Sequence, residues 1–509
     1  MRLRLALVIA ALSGFIALSY EIVWFRVLSM MTRGIASSFG LLLAAYLFGL
    51  AIGSRLSARF CKDDDAGTEQ LRVLAIFVAI ANTIAALVAP SFAWSARFTD
   101  WRVGVSVVAI GAAFLGAVLP LVSHFGIEPD DRAGPRLSYV YLANIVGSAT
   151  GSLLTGFLLL DVMSLMNVAR LLVVFGFVLS AVLLLMSGRR SPAGLGALGA
   201  CAVGSFLLLP LLYDRLYERL IFKWEFDGTQ RFSQVIENKS GVVTVTKDDT
   251  VYGSGTYDGV LNVALQKNDR NNIVRAYIVG AIHPAPRDVL VVGLSGGSWT
   301  QVVVNIPGVE QVTVIEINPG YLPVVNSNPE TKDLLANPKV KLVIDDGRRW
   351  LQRNPDRKFD FILMNTTMHW RDHATNLLST EFMDIARAHL LPGGIFYFNT
   401  TDSWDVQLTA AKHFPHFKRI TNFVAVSDSP FDFDRDRWRK MLETMTIDGK
   451  PILDLTKESD QKLLYELRGF NDMEPAWSIL DRYEKKHRIV TDDNMVTEWI
   501  HPLRYPQPE

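Results

Sequence analysis

From Met1 to about Tyr213 the chain is a succession of long apolar runs separated by short polar breaks, and from Asp214 onward that pattern stops. Seven of the runs approach the ~20 residues that cross about 30 Å of hydrocarbon. They are Leu5–Trp24, Ser37–Leu56, Leu71–Pro90, Val103–Val122, Leu137–Leu160, Val168–Met186 and Leu195–Tyr213. This spacing predicts a bundle of about seven membrane helices over residues 1–213, with the lipid bilayer as its partner. Gly49 with Gly53, and Gly147 with Gly151, set small residues one turn apart. Such pairs allow close helix packing, either inside one bundle or across a homodimer. Glu21 reads two ways: as a functional carboxylate within lipid, or as an interfacial residue with Tyr20 and Trp24 as belt aromatics.

Beyond Asp214 the aromatic and basic residues Tyr213, Arg215, Tyr217, Arg219, Phe222, Lys223 and Trp224 predict a juxtamembrane helix over 214–234. Residues 235–282 read as a small β section with turns at Asp248-Asp249 and Asp258-Gly259, followed by a gating helix over Asn271–Ile282. Residues 283–430 then alternate. Apolar strands at Asp288–Gly293, Gln311–Glu316, Val340–Ile344, Phe359–Met364 and Gly394–Phe398 are interleaved with helical segments. That alternation predicts a doubly wound, Rossmann-like α/β sheet. The last part, 431–509, reads as a helical extension with Trp438, Leu442, Leu464 and Trp477 in its core.

Composition narrows the function. Half of the 509 residues are hydrophobic, 51 Lys and Arg balance 51 Asp and Glu, and there are two cysteines. Zero net charge argues against a nucleic-acid partner, and two cysteines exclude a disulfide scaffold or a multi-cysteine metal site.

The candidate chemistry sits at the strand ends. Gly293-Leu-Ser295-Gly-Gly297-Ser298 follows the first strand of the alternating region and opens a helix, which frees backbone N–H groups for a ligand. Glu316 ends the next strand, where a carboxylate accepts ribose hydroxyls. Asp346-Gly347 follows the third strand, where an acid binds an adenine amino group, and Asn365 ends the fourth. Past it runs Thr366-Thr-Met-His369-Trp370-Arg371-Asp372-His373, a polar and aromatic loop. His369 is a general-base candidate, and Trp370 and Arg371 suit an aromatic or anionic acceptor. His369 and His373 are four apart, but no third ligand accompanies them, so no metal is expected.

Val289-Leu-Val-Val-Gly293, Val312-Thr-Val-Ile-Glu316-Ile-Asn-Pro319, Asp346-Gly347-Arg348, Phe359-Asp-Phe-Ile-Leu363 and Leu391-Pro-Gly-Gly394 resemble the spermidine synthase (polyamine aminopropyltransferase) family, which has the methyltransferase-like fold. The membrane half resembles a bacterial subgroup with an N-terminal multi-spanning region. The closing Thr491-Asp492-Asp493-Asn494 with Glu498 resembles that subgroup's ending. The resemblance implies S-adenosylmethionine or its decarboxylated form as co-substrate, held by Gly293, Ser295, Gly297, Glu316, Asp346 and Gly347. It implies a small-molecule acceptor near Asn262, Asn272, Thr366, Trp370 and Arg371, with Asn365 and His369 in the catalytic position.

The departures from that family are chemical. Its fourth strand ends in an Asp that helps deprotonate the attacking amine; here Asn365 cannot take a proton. Its gating helix carries an Asp-Glu pair; here Asp269-Arg270-Asn271-Asn272 brings amides. The expected protein is therefore a membrane-anchored transferase of an aminopropyl or methyl group to an unidentified acceptor. The alternative is a non-catalytic sensor or transporter whose domain binds a nucleoside or polyamine. A bacterial inner-membrane location is expected, with the C-terminal domain on the cytoplasmic face because the donor is cytosolic; the flanking Lys and Arg residues split too evenly to orient the chain.

Overall fold

The computed structural model describes residues 2–61, 68–98, 100–187, 192–267, 270–365 and 368–499. Thr366, Asp269, Arg189 and Arg190 and the polar break from Lys62 to Asp65 lie outside them. Two compact units emerge: Met1–Arg231 with Glu237–Gly241, and Phe232–Ile236 with Val242–Glu509.

In the first unit, seven described helices are long and apolar enough to cross a membrane: Arg2–Met31, Ser37–Phe60, Glu69–Ala96, Arg102–Gly126, Ala133–Val162, Leu165–Met186 and Pro192–Tyr213. Each contains one run read from the sequence. The glycine pairs are used inside the chain. A Cβ on Gly53 would lie 1.7 Å from the Ala113 carbonyl oxygen, and one on Gly147 would lie 1.9 Å from that of Ala11. Only glycine lets those backbones touch. Buried polar groups cross-link the helices: the Tyr20 hydroxyl donates to Asn82 Oδ1 at 2.9 Å, Asn82 Nδ2 to the Val173 carbonyl at 2.9 Å, and Trp24 Nε1 to the Ala85 carbonyl at 3.0 Å. Tyr20 and Trp24 are therefore interior residues and not belt aromatics, and Glu21 is buried beside them. The juxtamembrane segment forms a short helix, Leu216–Phe222, with Tyr217 buried and Trp224 exposed.

After Phe232 the chain forms a four-stranded sheet in the order β1 (Gln234–Asn238), β2 (Gly241–Val245), β3 (Thr250–Gly253), β4 (Thr256–Val260). Asp258-Gly259 is thus part of a strand and not a turn. The predicted gating helix is two short turns, Val274–Tyr277 and Val279–Ile282.

The main sheet contains β5 (Asp288–Val292), β6 (Gln311–Glu316), β7 (Val340–Ile344), β8 (Phe359–Met364), β9 (Leu390–Asn399), β10 (His416–Ile420) and β11 (Phe423–Ser427). The tail adds a two-stranded hairpin, β12 (Thr446–Ile447) and β13 (Lys450–Pro451), and then β14 (Met473–Pro475). The order of the main sheet is β14-β10-β11-β9-β8-β5-β6-β7. From β9 to β7 it is parallel, as the alternation predicted. From β9 to β14 it continues antiparallel. Because side chains alternate across a strand, the continuous apolar runs feed both faces. Val289 and Val291 join one core with Val312, Phe361 and Tyr397; Leu290 and Val292 join the other with Ile315, Ile362 and Phe396.

The tail is mixed rather than purely helical. Trp438, Leu442 and Leu464 are core residues, but Trp477 is 72% exposed. Its helix, Ala476–Tyr483, buries Ile479 and Tyr483, one turn apart, and Trp477 lies on the other side.

Candidate active site

The chain passes from β5 to β6 and β7 on one side of the sheet, and then crosses to β8 and β9 on the other. Ligands bind at such a switch point, at the carboxyl ends of the strands. Gly293, Glu316, Asp346 and Asn365 all occupy those ends, after or at the end of β5, β6, β7 and β8.

The loop after β5 is bent by left-handed residues: Gly293 at φ +93°, Ser295 at +48° and Gly297 at +81°. Gly297 caps the helix Ser298–Val304. The loop folds over Glu316, whose Oε2 accepts the backbone N–H of Leu294 (2.7 Å) and Ser295 (3.4 Å) and whose Oε1 accepts that of Asn318 (2.7 Å). Burial pushes the Glu316 carboxyl up to about 7, against those three N–H donors. Asp258 of β4 is a second, partly buried carboxyl near it. Burial raises it too, opposed by the Tyr321 hydroxyl, Arg371 and Ser295. The charge of Arg371 acts on Asp258 and Tyr321, and burial lowers its own pKa. At the next corner Asp346 caps the helix Gly347–Arg353, with Oδ1 accepting the Arg349 N–H at 2.7 Å. A Cβ on Gly347 would lie 2.7 Å from Val292 Cγ1, so glycine lets this corner close onto β5.

Beside Asn365 opens a cleft. Its walls are Tyr257, Asp258, Gly259, Arg270, Asn271, Arg275, Asn365, Met368, Asn399, Thr401, Asp402 and Asn422. A line of side chains runs along it. Asn399 Nδ2 donates to Asn365 Oδ1 (3.0 Å), Asn422 Nδ2 to Asn399 Oδ1 (3.2 Å), and the Arg275 guanidinium to Asn422 Oδ1. Arg275 is further held by the carbonyls of Asn271 (2.6 Å) and Asn272 (3.2 Å) and lies over the rings of Trp299 and Phe423.

The expected acceptor residues divide. Asn365 lines the cleft. His369 stands behind it, with Nδ1 3.1 Å from the carbonyl of the lining residue Thr401 and 2.9 Å from its hydroxyl. The Thr401 hydroxyl also accepts the His369 backbone N–H at 2.9 Å, so the ring is held against the cleft wall. Trp370 is buried and not among the cleft walls. Asn262 is fully buried, with its side chain closed on the backbone of Ala264. Asn272 is exposed, and its neighbour Asn271 faces the cleft instead. Asp258, Arg275, Asn399, Thr401, Asp402 and Asn422 were not singled out by the sequence. They come from β4, the gating segment and the ends of β9 and β11, and each is unremarked until the sheet gathers them.

The C-terminal segment braces this region. Arg348 makes two bonds to Asp492, at 2.8 and 2.5 Å, and one to the Asn376 carbonyl at 3.0 Å. Ser379 Oγ donates to Asp492 at 2.6 Å. The buried Glu498 accepts the backbone N–H groups of His373 (3.1 Å) and Thr375 (2.8 Å).

The glycine loop, the buried Glu316 and Asp346 thus meet at neighbouring strand ends of a Rossmann-like sheet. Residues 274–416 match the spermine/spermidine synthase domain. A polyamine aminopropyltransferase of Mycobacterium tuberculosis is 26% identical over 426 residues, covering 77% of this chain and 76% of the relative. Polyamine aminopropyltransferase 2 of Streptomyces coelicolor is 23% identical over 396 residues, covering 74% and 70%. A solved spermidine synthase in complex with the transition-state analogue AdoDATO aligns with 48% of this chain and 85% of its own, at 15% identity and a TM-score of 0.35.

Proposed function

We propose that this chain is a membrane-anchored transferase of the aminopropyltransferase type, using decarboxylated S-adenosylmethionine or S-adenosylmethionine as donor. The observation that carries the reading is the joint occurrence, at neighbouring strand ends, of the glycine loop, buried Glu316 and Asp346 in a domain whose relatives are named polyamine aminopropyltransferases. In this reading Glu316 receives ribose hydroxyls, Asp346 the adenine edge, and the loop Gly293–Ser298 the aminoalkyl arm. The acceptor enters the cleft beside Asn365, and His369, held against the lining residue Thr401, is the general-base candidate. The seven apolar helices anchor the domain in the inner membrane of a bacterium, with the active site on the cytoplasmic face where the donor is made.

One observation favours a second reading, in which the domain binds without turnover: the residue at the end of β8 is an amide, which takes no proton. Incubation of the purified chain with labelled decarboxylated donor separates the two. Release of 5′-methylthioadenosine in the presence of an acceptor supports transfer. Retention of intact donor supports the binding reading, and absence of binding refutes both.

A further inference from the structure

We infer that the acceptor taken by this cleft meets Asn365 with an oxygen, that of a carboxylate, and not with an ammonium group. The inference deepens the transferase reading and rests on it. An isolated asparagine is ambiguous, since its amide turns over at little cost and its two ends look alike. Here two groups that can only donate fix the sense of the whole line. The backbone N–H of Thr401 donates to Asn399 Oδ1 at 2.8 Å, and the Arg275 guanidinium donates to Asn422 Oδ1. Asn422 must then turn Nδ2 to Asn399 Oδ1, and Asn399 must turn Nδ2 to Asn365 Oδ1. Turning Asn365 over would set two NH2 groups face to face at 3.0 Å. Asn365 therefore points its oxygen into the wall and its NH2 away from it, and among the described residues no protein group accepts from that NH2.

An ammonium has three donors and no acceptor, so at this position it would face donors. A carboxylate oxygen accepts from the amide directly. The charge on the walls agrees: Arg270 and Arg275 stand against Asp258 and Asp402, and Asp258 is already engaged by Tyr321, Ser295 and Arg371. No surplus of negative charge is left to replace the water around a diammonium ion. A ligand with one ammonium and one carboxylate matches both the polarity of Asn365 and the even charge of the cleft.

Two probes of similar length that differ at one end, 4-aminobutyrate and putrescine, test this on the full-length chain in nanodiscs with saturating 5′-methylthioadenosine. Calorimetry is expected to give at least tenfold tighter binding of 4-aminobutyrate. Asn365→Asp is expected to reverse that preference by at least tenfold, and the wild-type comparison decides the matter alone if the variant does not fold. Tighter binding of putrescine by the wild type overturns the inference. So does binding of neither probe by protein that binds 5′-methylthioadenosine. Failure to bind 5′-methylthioadenosine itself is a separate result, which overturns the transferase reading and the inference with it.

Discussion

Asp492→Asn tests whether the C-terminal segment is a structural brace for the site. The carboxylate accepts three bonds, two from Arg348 and one from Ser379. The Arg348 side chain is 17% exposed and that of Asp492 32%. Charge-assisted bonds to a buried group are worth roughly 1.5–3 kcal/mol each, and exposed pairs below about 1. This half-buried bidentate pair lies between those limits. The amide keeps the shape but loses the charge and turns one NH2 toward the guanidinium. The loss is about 2 kcal/mol, or a fall in melting temperature of roughly 4–8 °C for a unit of this size. The pH dependence has a definite sign. Arg348 holds the Asp492 carboxyl below its usual range. A lowered folded-state pKa stabilises above the unfolded value, near 4, and that contribution fades as pH falls through the folded value. Thermal unfolding of the two proteins should therefore differ at pH 7 and converge in acid. Equal melting temperatures at pH 7, or a gap that widens on acidification, would refute the brace.

Four further outcomes follow from the site and the fold. Glu316 is mostly neutral below about 7, and ribose hydroxyls donating to it favour the ionised form, so donor binding at pH 7 should release a fraction of a proton; calorimetric heats that do not vary with buffer ionisation would count against this. Glu316→Gln should weaken donor binding tenfold to a hundredfold, for a loss of about 1–3 kcal/mol. Because burial raises the folded-state pKa, ionisation costs stability as pH climbs from near 4.5 through 7, and Glu316→Gln should gain on the wild type between pH 5 and 8. A fragment starting at Phe232 should fold alone with mixed α/β circular dichroism, and repeated recovery of unfolded material would place the boundary elsewhere.

Much of this architecture is legible in the sequence because burial on two sides leaves an unmistakable trace. Val289-Leu-Val-Val292 and Phe361-Ile-Leu-Met364 are apolar at every position, so their place in a parallel sheet follows without tertiary information. Glu316 and Asp346 are recognisable because each ends or follows such a run. The edge of the sheet leaves no comparable signal. His416-Phe-Lys-Arg-Ile420 is short and charged, and Met473-Glu-Pro475 becomes a strand only through pairing with it. The amide line was hidden for another reason: Arg275, Asn399 and Asn422 are ordinary residues far apart in the chain, and their meaning lies in the direction of hydrogen bonds that only the folded sheet aligns. Tyr20 and Trp24 illustrate the same limit in the membrane half. Composition alone fits a headgroup belt, and the partners Asn82 and Ala85 from another helix make them interior.

The central claim is that the soluble domain is a transferase whose donor half is intact and whose acceptor half is not built for a diamine. Formation of 5′-methylthioadenosine from labelled decarboxylated S-adenosylmethionine by the full-length chain, with putrescine or 4-aminobutyrate offered in parallel, measures both halves at once. The account predicts product release with 4-aminobutyrate that exceeds the putrescine reaction at least tenfold. Robust turnover of putrescine with none of 4-aminobutyrate would contradict it.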